Sequence, residues 1–312
     1  MHAIAEFVFQ LISGVRSYFM SLCYGNNSSR DCCRSVFLSE PDGSSAEILL
    51  YGGQIISWKN KHGDELLWMS RKPVRKSSKI NSGGITICFE QKFCQSDTSR
   101  QHELIRNKMW STDNIHRSWL DLVYMSTPDD ITVWPHRFEL RLRVILSANN
   151  LKLITQVKNI DYNPFTFTFS LRNYFMVSDI SEVRIEGLDN LEYIDNKLHR
   201  THNTEQADAL SFDEEIDRSY LNTPSKLAII DHGKKRTFVL TKGRLPDAVI
   251  WNPWDKYSRA YKTMLSVDSA IVEHHVTLLP IQVWRGSQEI SIIGSSYCSG
   301  LLDPTTVLHG FN

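Results

Sequence analysis

The chain is predicted to be all-β, a large antiparallel β-sandwich, on three observations. Apolar residues recur with a period of two, turn signals separate the alternating runs, and no long amphipathic helical window lies between them. Phe138, Leu140, Leu142 and Val144 alternate with Glu139, Arg141 and Arg143, and Phe165, Phe167, Phe169 and Leu171 alternate with Thr166, Thr168 and Ser170. Such alternation turns one side of a strand into a core and leaves the other side polar. Pro41-Asp42-Gly43, Lys61-His62-Gly63-Asp64, Ala148-Asn149-Asn150, Asp161-Tyr162-Asn163-Pro164 and Asp231-His232-Gly233 supply the turns. Strands this frequent bury their apolar faces most simply by stacking two sheets.

The chain has 312 residues, and β-sandwiches reach roughly 200 to 250 residues as one unit. One sandwich domain is therefore expected at 35–295, after a compositionally different segment at 1–34 and before a tail at 296–312. Ala3 to Tyr24 is apolar and aromatic but interrupted by Glu6, Gln10 and Arg16. It lacks a basic start and falls short of the roughly 18 uncharged residues of a spanning helix, so it reads as a docked or surface helix. Asn26 to Arg30 reads as a polar linker.

Lys+Arg and Asp+Glu balance at 35 each, which removes the electrostatic case for nucleic acid or an anionic membrane as partner. The cysteines Cys23, Cys32, Cys33, Cys88, Cys94 and Cys298 have neither metal-type nor disulfide-framework spacing. Free thiols in a reducing, cytoplasmic setting are expected. There is no Gly-x-Ser-x-Gly elbow and no glycine-rich phosphate loop, so serine nucleophile chemistry and nucleotide cofactors are unsupported. His274 and His275, beside Glu273, should point to opposite faces of a strand and so should not share one metal ion.

Parity places Arg172 on the Thr166, Thr168 and Ser170 face of its strand, lining solvent or a groove. Taken alone, Arg172 reads as a solvated strand residue. Asp268 reads as a polar residue ending the strand Met264 to Val267, and His102 as a structural histidine. Asp217 reads as a capping carboxylate in an acidic stretch with Asp213, Glu214 and Glu215.

A different reading comes from the segments Gly52-Gly53-Gln54-Ile55-Ile56-Ser57-Trp58, Gly83-Gly84-Ile85, Gln101-His102, Arg106-Asn107-Lys108 and Trp134-Pro135-His136. With them go Ser170 to Leu188, Asp217-Arg218, Trp251-Asn252-Pro253-Trp254 and Met264-Leu265-Ser266-Val267-Asp268. Over roughly residues 36 to 293 the chain resembles the glucose-6-phosphate 1-epimerases, plant apospory-associated protein C-like, of the aldose 1-epimerase (mutarotase) superfamily. The resemblance implies a galactose-mutarotase-like supersandwich with a groove on one concave sheet, no metal or cofactor, and a monomer. It also implies interconversion of the α and β anomers of a hexose 6-phosphate. In that reaction a base takes the C1 hydroxyl proton while an acid protonates the ring oxygen, each contributing roughly 10²- to 10⁴-fold.

Carried over position by position, the resemblance makes Asp268 the base, His102 the supporting histidine and Asp217 the acceptor for a sugar hydroxyl. Arg106, Gln91, Lys92 and Trp254 fall on the substrate side. The family's acid histidine, in Tyr-His-Thr-Tyr-Phe, is Arg172 here, and a guanidinium cannot deliver a proton at neutral pH.

Further departures surround the same groove. Arg-Gly-Gly-Ile-Pro has become Ser82-Gly83-Gly84-Ile85-Thr86, losing a phosphate-binding arginine. Phe-Pro-Gln-Phe-Gly has become Phe89-Glu90-Gln91-Lys92-Phe93, Gly-Phe-Ala has become Glu103-Leu104-Ile105, and the connection from Trp254 to Met264 is short. Three readings follow: a weakened hexose-6-phosphate 1-epimerase, a non-catalytic paralogue that binds a carbohydrate or phosphosugar, or a folded remnant with no groove ligand.

Overall fold

The computed structural model describes residues 34–70, 83–90, 103–254 and 259–294. The expected N-terminal helix and linker, the C-terminal tail and residues 255–258 of the short 254 to 264 connection lie outside the described residues. The strands, in chain order, begin with β1 (Ser35–Ser39), β2 (Ser45–Leu49), β3 (Gln54–Lys59), β4 (Ile85–Glu90), β5 (Ser111–Ile115), β6 (Trp119–Met125), β7 (Phe138–Ser147), β8 (Asn150–Asn159) and β9 (Phe165–Met176). They continue with β10 (Val183–Glu186), β11 (Glu192–Asp195), β12 (Thr201–Thr204), β13 (Ala209–Ser211), β14 (Ile216–Tyr220), β15 (Lys226–Asp231), β16 (Arg236–Gly243), β17 (Asp247–Asn252), β18 (Met264–Leu278) and β19 (Val283–Gly294). Two short helices, α1 (Glu103–Arg106) and α2 (Pro128–Val133), interrupt them.

Antiparallel pairing assembles these strands into two sheets. A ten-stranded sheet runs β1-β2-β3-β4-β9-β18-β17-β14-β11-β12, and a nine-stranded sheet runs β13-β10-β15-β16-β19-β8-β7-β6-β5. The expected turns at 41–43, 61–64 and 161–164 fall between strands; those at 148–150 and 231–233 do so except that Asn150 opens β8 and Asp231 closes β15.

Alternation in the sequence becomes alternation in burial. Phe138, Leu140, Leu142 and Val144 are buried in β7, and Phe165, Phe167, Phe169 and Leu171 in β9. Trp284 of β19 ties the sheets together, its ring 5.7 Å from Phe167 and 5.1 Å from Phe169. Burying each such side chain stabilises the fold by about 1.5–3 kcal/mol. One polar pair crosses this interior: Gln288 Nε2 donates to Asn173 Oδ1 at 2.6 Å and Asn173 Nδ2 donates to Gln288 Oε1 at 3.1 Å. Both amides are thereby satisfied in a dry layer.

Gly83 and Gly84 let β4 enter the ten-stranded sheet. Both have left-handed backbones (φ +127° and +66°), and a Cβ there would lie 2.4 Å from Trp68 O and 2.1 Å from Ile55 O, respectively. Only glycine combines that conformation with that approach.

β18 differs from expectation. It spans Met264–Leu278, so Asp268 lies well inside a strand rather than at its end. The register to β9 shifts between Ile271 and Val276, and Glu273, His274 and His275 stand exposed in that bulge. Strand alternation therefore does not govern the two histidines. Among the described residues no group of three or more His, Cys, Asp or Glu is placed to hold a metal ion.

Asp247 pins the start of the bulge, accepting from Val272 N at 2.7 Å and from Asn222 N at 3.1 Å. The ammonium of buried Lys242 donates to Asp247 O at 3.0 Å, to Pro246 O at 3.2 Å and to Thr223 Oγ1. Burial pushes this ammonium down to about 7. Among the described residues no helix is long and apolar enough to cross a membrane.

Candidate active site

The site is set by cross-strand register at the middle of the ten-stranded sheet. β4 and β9 oppose Thr86 to Arg172. β9 and β18 oppose Leu171 to Ser269 and Tyr174 to Ser266, which sets Arg172 opposite Asp268. Asp268 opposes Val249 of β17, and Val249 opposes Ser219 of β14. Directly opposed residues share a face, so Thr86, Arg172, Asp268, Val249 and Ser219 form one row. Tyr174, Ser266, Trp251 and Asp217 form the next row on that face. It is the face turned away from Phe167, Phe169 and Leu171, as strand parity requires.

Parity thus puts Arg172 where it was expected, but its surroundings are not solvent. Thr168 and Ser170 on the same face are buried, and the Arg172 side chain is 14% exposed. Its Nε donates to Asp268 Oδ2 at 3.1 Å, and the Asp268 side chain is 2% exposed. The reading of Arg172 as a solvated strand residue is corrected: cross-strand pairing gives it a buried carboxylate partner. Burial opposes its charge, but the Asp268 carboxylate beside it keeps the guanidinium protonated.

Asp268 is held from several sides. Oδ1 accepts from Ser266 Oγ at 2.8 Å and from Asn173 N at 3.2 Å, while Oδ2 takes Arg172. Burial pushes its carboxyl above the usual carboxylate range, against the opposing pull of Arg172, Ser266 and Asn173. Such a carboxylate is more basic than a solvated one.

Asp217 sits inside β14 rather than at a cap, so the capping reading is also corrected. Asn196 Nδ2 donates to its Oδ1 at 3.0 Å and also to Ser219 Oγ at 3.2 Å. Burial pushes Asp217 up to about 6, with Glu215 and Asp268 adding to the rise and Asn196 and Arg172 restraining it. Arg172 on β9, Asp268 on β18 and Asp217 on β14 thus lie on one sheet face, and the charges of the first two act on the third.

The remaining expected residues divide. Arg106 closes α1, half-buried, beside β4. Trp254 takes a left-handed backbone (φ 50°) with its N–H on Asn252 Oδ1 at 2.8 Å and its ring 5.5 Å from Tyr261. Among the described residues no hydrogen bond or ion pair joins either of them to the Arg172–Asp268 pair. His102, Gln91 and Lys92 lie outside the described residues.

Four groups not singled out from sequence share the site: Ser266, Asn196, Tyr174 and Trp251. Tyr174 stacks edge-on to Trp251 at 6.3 Å and tilts against Trp68 at 6.1 Å, laying an aromatic floor beside the ionic cluster. Parity alone would have found two of them, because Tyr174 lies two residues beyond Arg172 and Ser266 two before Asp268.

The geometry places a buried carboxylate, a guanidinium, a second carboxyl near neutrality and an aromatic floor on one sheet face. The sequence model of the aldose 1-epimerase family matches residues 34–291. A protein of Cenchrus ciliaris named "Putative glucose-6-phosphate 1-epimerase" is 46% identical over 302 residues, covering 90% of this chain and 88% of that one. A protein of the same name from Escherichia coli is 26% identical over 238 residues, covering 72% and 79%. Among solved structures, the mutarotase-like YeaD protein of Salmonella typhimurium superposes with a TM-score of 0.73 at 23% identity, covering 83% of this chain and 90% of that one. The GalM/aldose epimerase homologue of C. elegans superposes with a TM-score of 0.66 at 11% identity, covering 84% and 99%. At these identities the structures speak to the fold, a galactose-mutarotase-like sandwich, while the extent of the sequence matches places the chain in the glucose-6-phosphate 1-epimerase family within the aldose 1-epimerase superfamily.

Proposed function

We propose that this chain binds hexose 6-phosphates on the Arg172–Asp268 face and interconverts their anomers slowly, in the cytoplasm. The observation that carries the reading is a buried Asp268, its carboxyl pushed above the usual range, with Arg172 3.1 Å from it; the resemblance makes these two positions the base and the acid. Asp268 removes the C1 hydroxyl proton as the C1 to ring-oxygen bond breaks. Arg172 donates hydrogen bonds to the charge developing on the departing ring oxygen, which lowers the barrier without transferring a proton. After rotation about the C1–C2 bond, closure reverses the transfers. Tyr174 and Trp251 supply an apolar surface for a sugar face, Asp217 takes a sugar hydroxyl, and Arg106 attracts the phosphate.

Arg172 itself cannot protonate the ring oxygen, so the rate should fall below that of a histidine-bearing site, by at most roughly 10²- to 10⁴-fold. Magnetisation exchange between α- and β-glucose 6-phosphate by NMR tests this. The unaltered protein should accelerate exchange slightly, Arg172→His should accelerate it strongly, and Asp268→Asn should abolish it. Exchange that stays at the uncatalysed rate with both the unaltered protein and Arg172→His would refute the reading.

One observation favours a second reading. The Arg172 Nε to Asp268 Oδ2 contact engages the base itself, and a base so engaged fits a non-catalytic phosphosugar binder. Saturable binding of glucose 6-phosphate by calorimetry, with no acceleration of exchange, would select it.

A further inference from the structure

We propose that Asp217 is the proton donor that stands in for the absent acid, passing one proton to and from the ring oxygen while Asp268 handles the C1 hydroxyl. The inference rests on the epimerase reading above and deepens it.

The case begins with placement. Asp217 lies in the row Tyr174, Ser266, Trp251, Asp217, on the same sheet face as Arg172 and Asp268. Ser266 of that row donates to Asp268 at 2.8 Å, so the two aspartates flank a continuous strip of the floor. One oxygen of Asp217 is fixed by Asn196 at 3.0 Å. That contact aims the carboxyl without engaging its other oxygen.

Charge gives the second part. The groups that act on Asp217 are Arg172 from β9, Asp268 from β18 and Glu215 from just ahead of its own strand. Glu215 in turn receives Lys197, whose Nζ donates to Glu215 O at 2.6 Å and lies 3.8 Å from its carboxylate. Two carboxyls thus share the single guanidinium of Arg172. The cluster of Arg172, Asp217 and Asp268 is electroneutral when it holds one carboxyl proton. Burial opposes full ionisation of both carboxyls, which fits Asp217 being pushed up to about 6. A carboxylic acid near that value is a competent general acid at neutral pH.

The proton balance closes within the cluster. Protonated Asp217 gives its proton to the ring oxygen as the bond to C1 breaks, and ionised Asp268 takes the C1 hydroxyl proton, leaving the open-chain aldehyde. The negative charge has then moved from Asp268 to Asp217, with Arg172 paired to Asp268 and its charge still favouring the ionised Asp217. Closure on the other face returns each proton, so no oxidant, reductant or metal is required. Arg172 has a role under this scheme that histidine would not: it is a fixed positive charge that serves whichever carboxylate is ionised.

The test is a double-mutant comparison of exchange kinetics using Asp217→Asn in the unaltered and Arg172→His backgrounds. In the unaltered background Asp217→Asn should lower kcat by roughly 10²-fold, the lower end of a positioned acid's contribution. The decline of kcat as pH rises through about 6, expected of the unaltered protein, should vanish with it. With His at position 172 supplying the proton, the same change should act mainly through KM and cost far less in kcat. Equal losses of kcat in the two backgrounds, or a pH profile that Asp217→Asn leaves intact, would overturn the assignment while leaving the epimerase reading standing. Absence of any exchange by the unaltered protein and by Arg172→His would remove both. Cooperative urea unfolding of each variant establishes that it is folded.

Discussion

Asp217→Asn should make the protein more stable at neutral and alkaline pH, although it alters a groove residue. The folded carboxyl titrates near 6, against 3.8 for an ordinary aspartate. A difference of this size costs on the order of 3 kcal/mol once the group is ionised. Asp217 is only partly buried, so solvent screening trims the expected gain to about 1–3 kcal/mol. Asparagine has nearly the same shape and its oxygen can still accept from Asn196, so the change opens no cavity and leaves Asn196 Nδ2 with its partner.

The pH dependence identifies the cause. A carboxyl whose folded value is raised binds more protons in the fold than in the unfolded chain between 3.8 and about 6. The unaltered protein should lose stability as pH rises through that window and stay level above it, apart from other groups. Below 3.8 the carboxyl is neutral in both states and the advantage of asparagine should vanish. Urea unfolding of both proteins from pH 4 to 8, read by tryptophan fluorescence, measures the difference directly. A variant that is less stable at pH 8, or a difference that does not change with pH, would refute the account of Asp217 as a partly buried, raised carboxyl.

Two further outcomes follow from the packing. Removing one member of the Arg172–Asp268 pair, by Arg172→Met or Asp268→Leu, should cost about 3–5 kcal/mol, while the double change should cost far less; a urea-unfolding cycle without this coupling would rule out the buried pair. Gly84→Ala should destabilise by at least about 2 kcal/mol, because its Cβ would meet Ile55 O at 2.1 Å on a left-handed backbone, and an unchanged thermal midpoint would contradict that geometry.

The sandwich was legible because its cause is local. Phe138 to Val144 and Phe165 to Leu171 announce a period of two, and the turns at 41–43 and 161–163 end strands with residues suited to turns. Strand parity also gave the correct face for Arg172. What stayed hidden depends on partners distant in sequence. Nothing near Arg172 states that Asp268, 96 residues away, lies opposite it. Asp268 looked like a strand end because it is a carboxylate after an apolar run, whereas β18 continues through it to Leu278 by pairing with β9 and β17. Asp217 looked like a cap because the acidic residues before it are polar, whereas its own strand is defined by pairing to β17.

The Arg172–Asp268 contact links the fold's tolerance of arginine to the chemistry that arginine impairs. A guanidinium 14% exposed needs a counter-charge, since it cannot shed its proton to relieve desolvation. A leucine would need no counter-charge, and a lysine could lose its proton when buried. Arginine therefore depends most on what stands opposite, and the cross-strand position holds a buried carboxylate fixed by Ser266 and Asn173. The same contact that stabilises Arg172 draws on the lone pairs a base would use. Stability and proton abstraction consequently compete for Asp268. Restoring histidine should relieve that competition, freeing the base while losing the permanent ion pair, so a gain in exchange rate accompanied by some loss of stability is the signature of this arrangement. A paralogue whose groove had merely decayed would show no such exchange between the two.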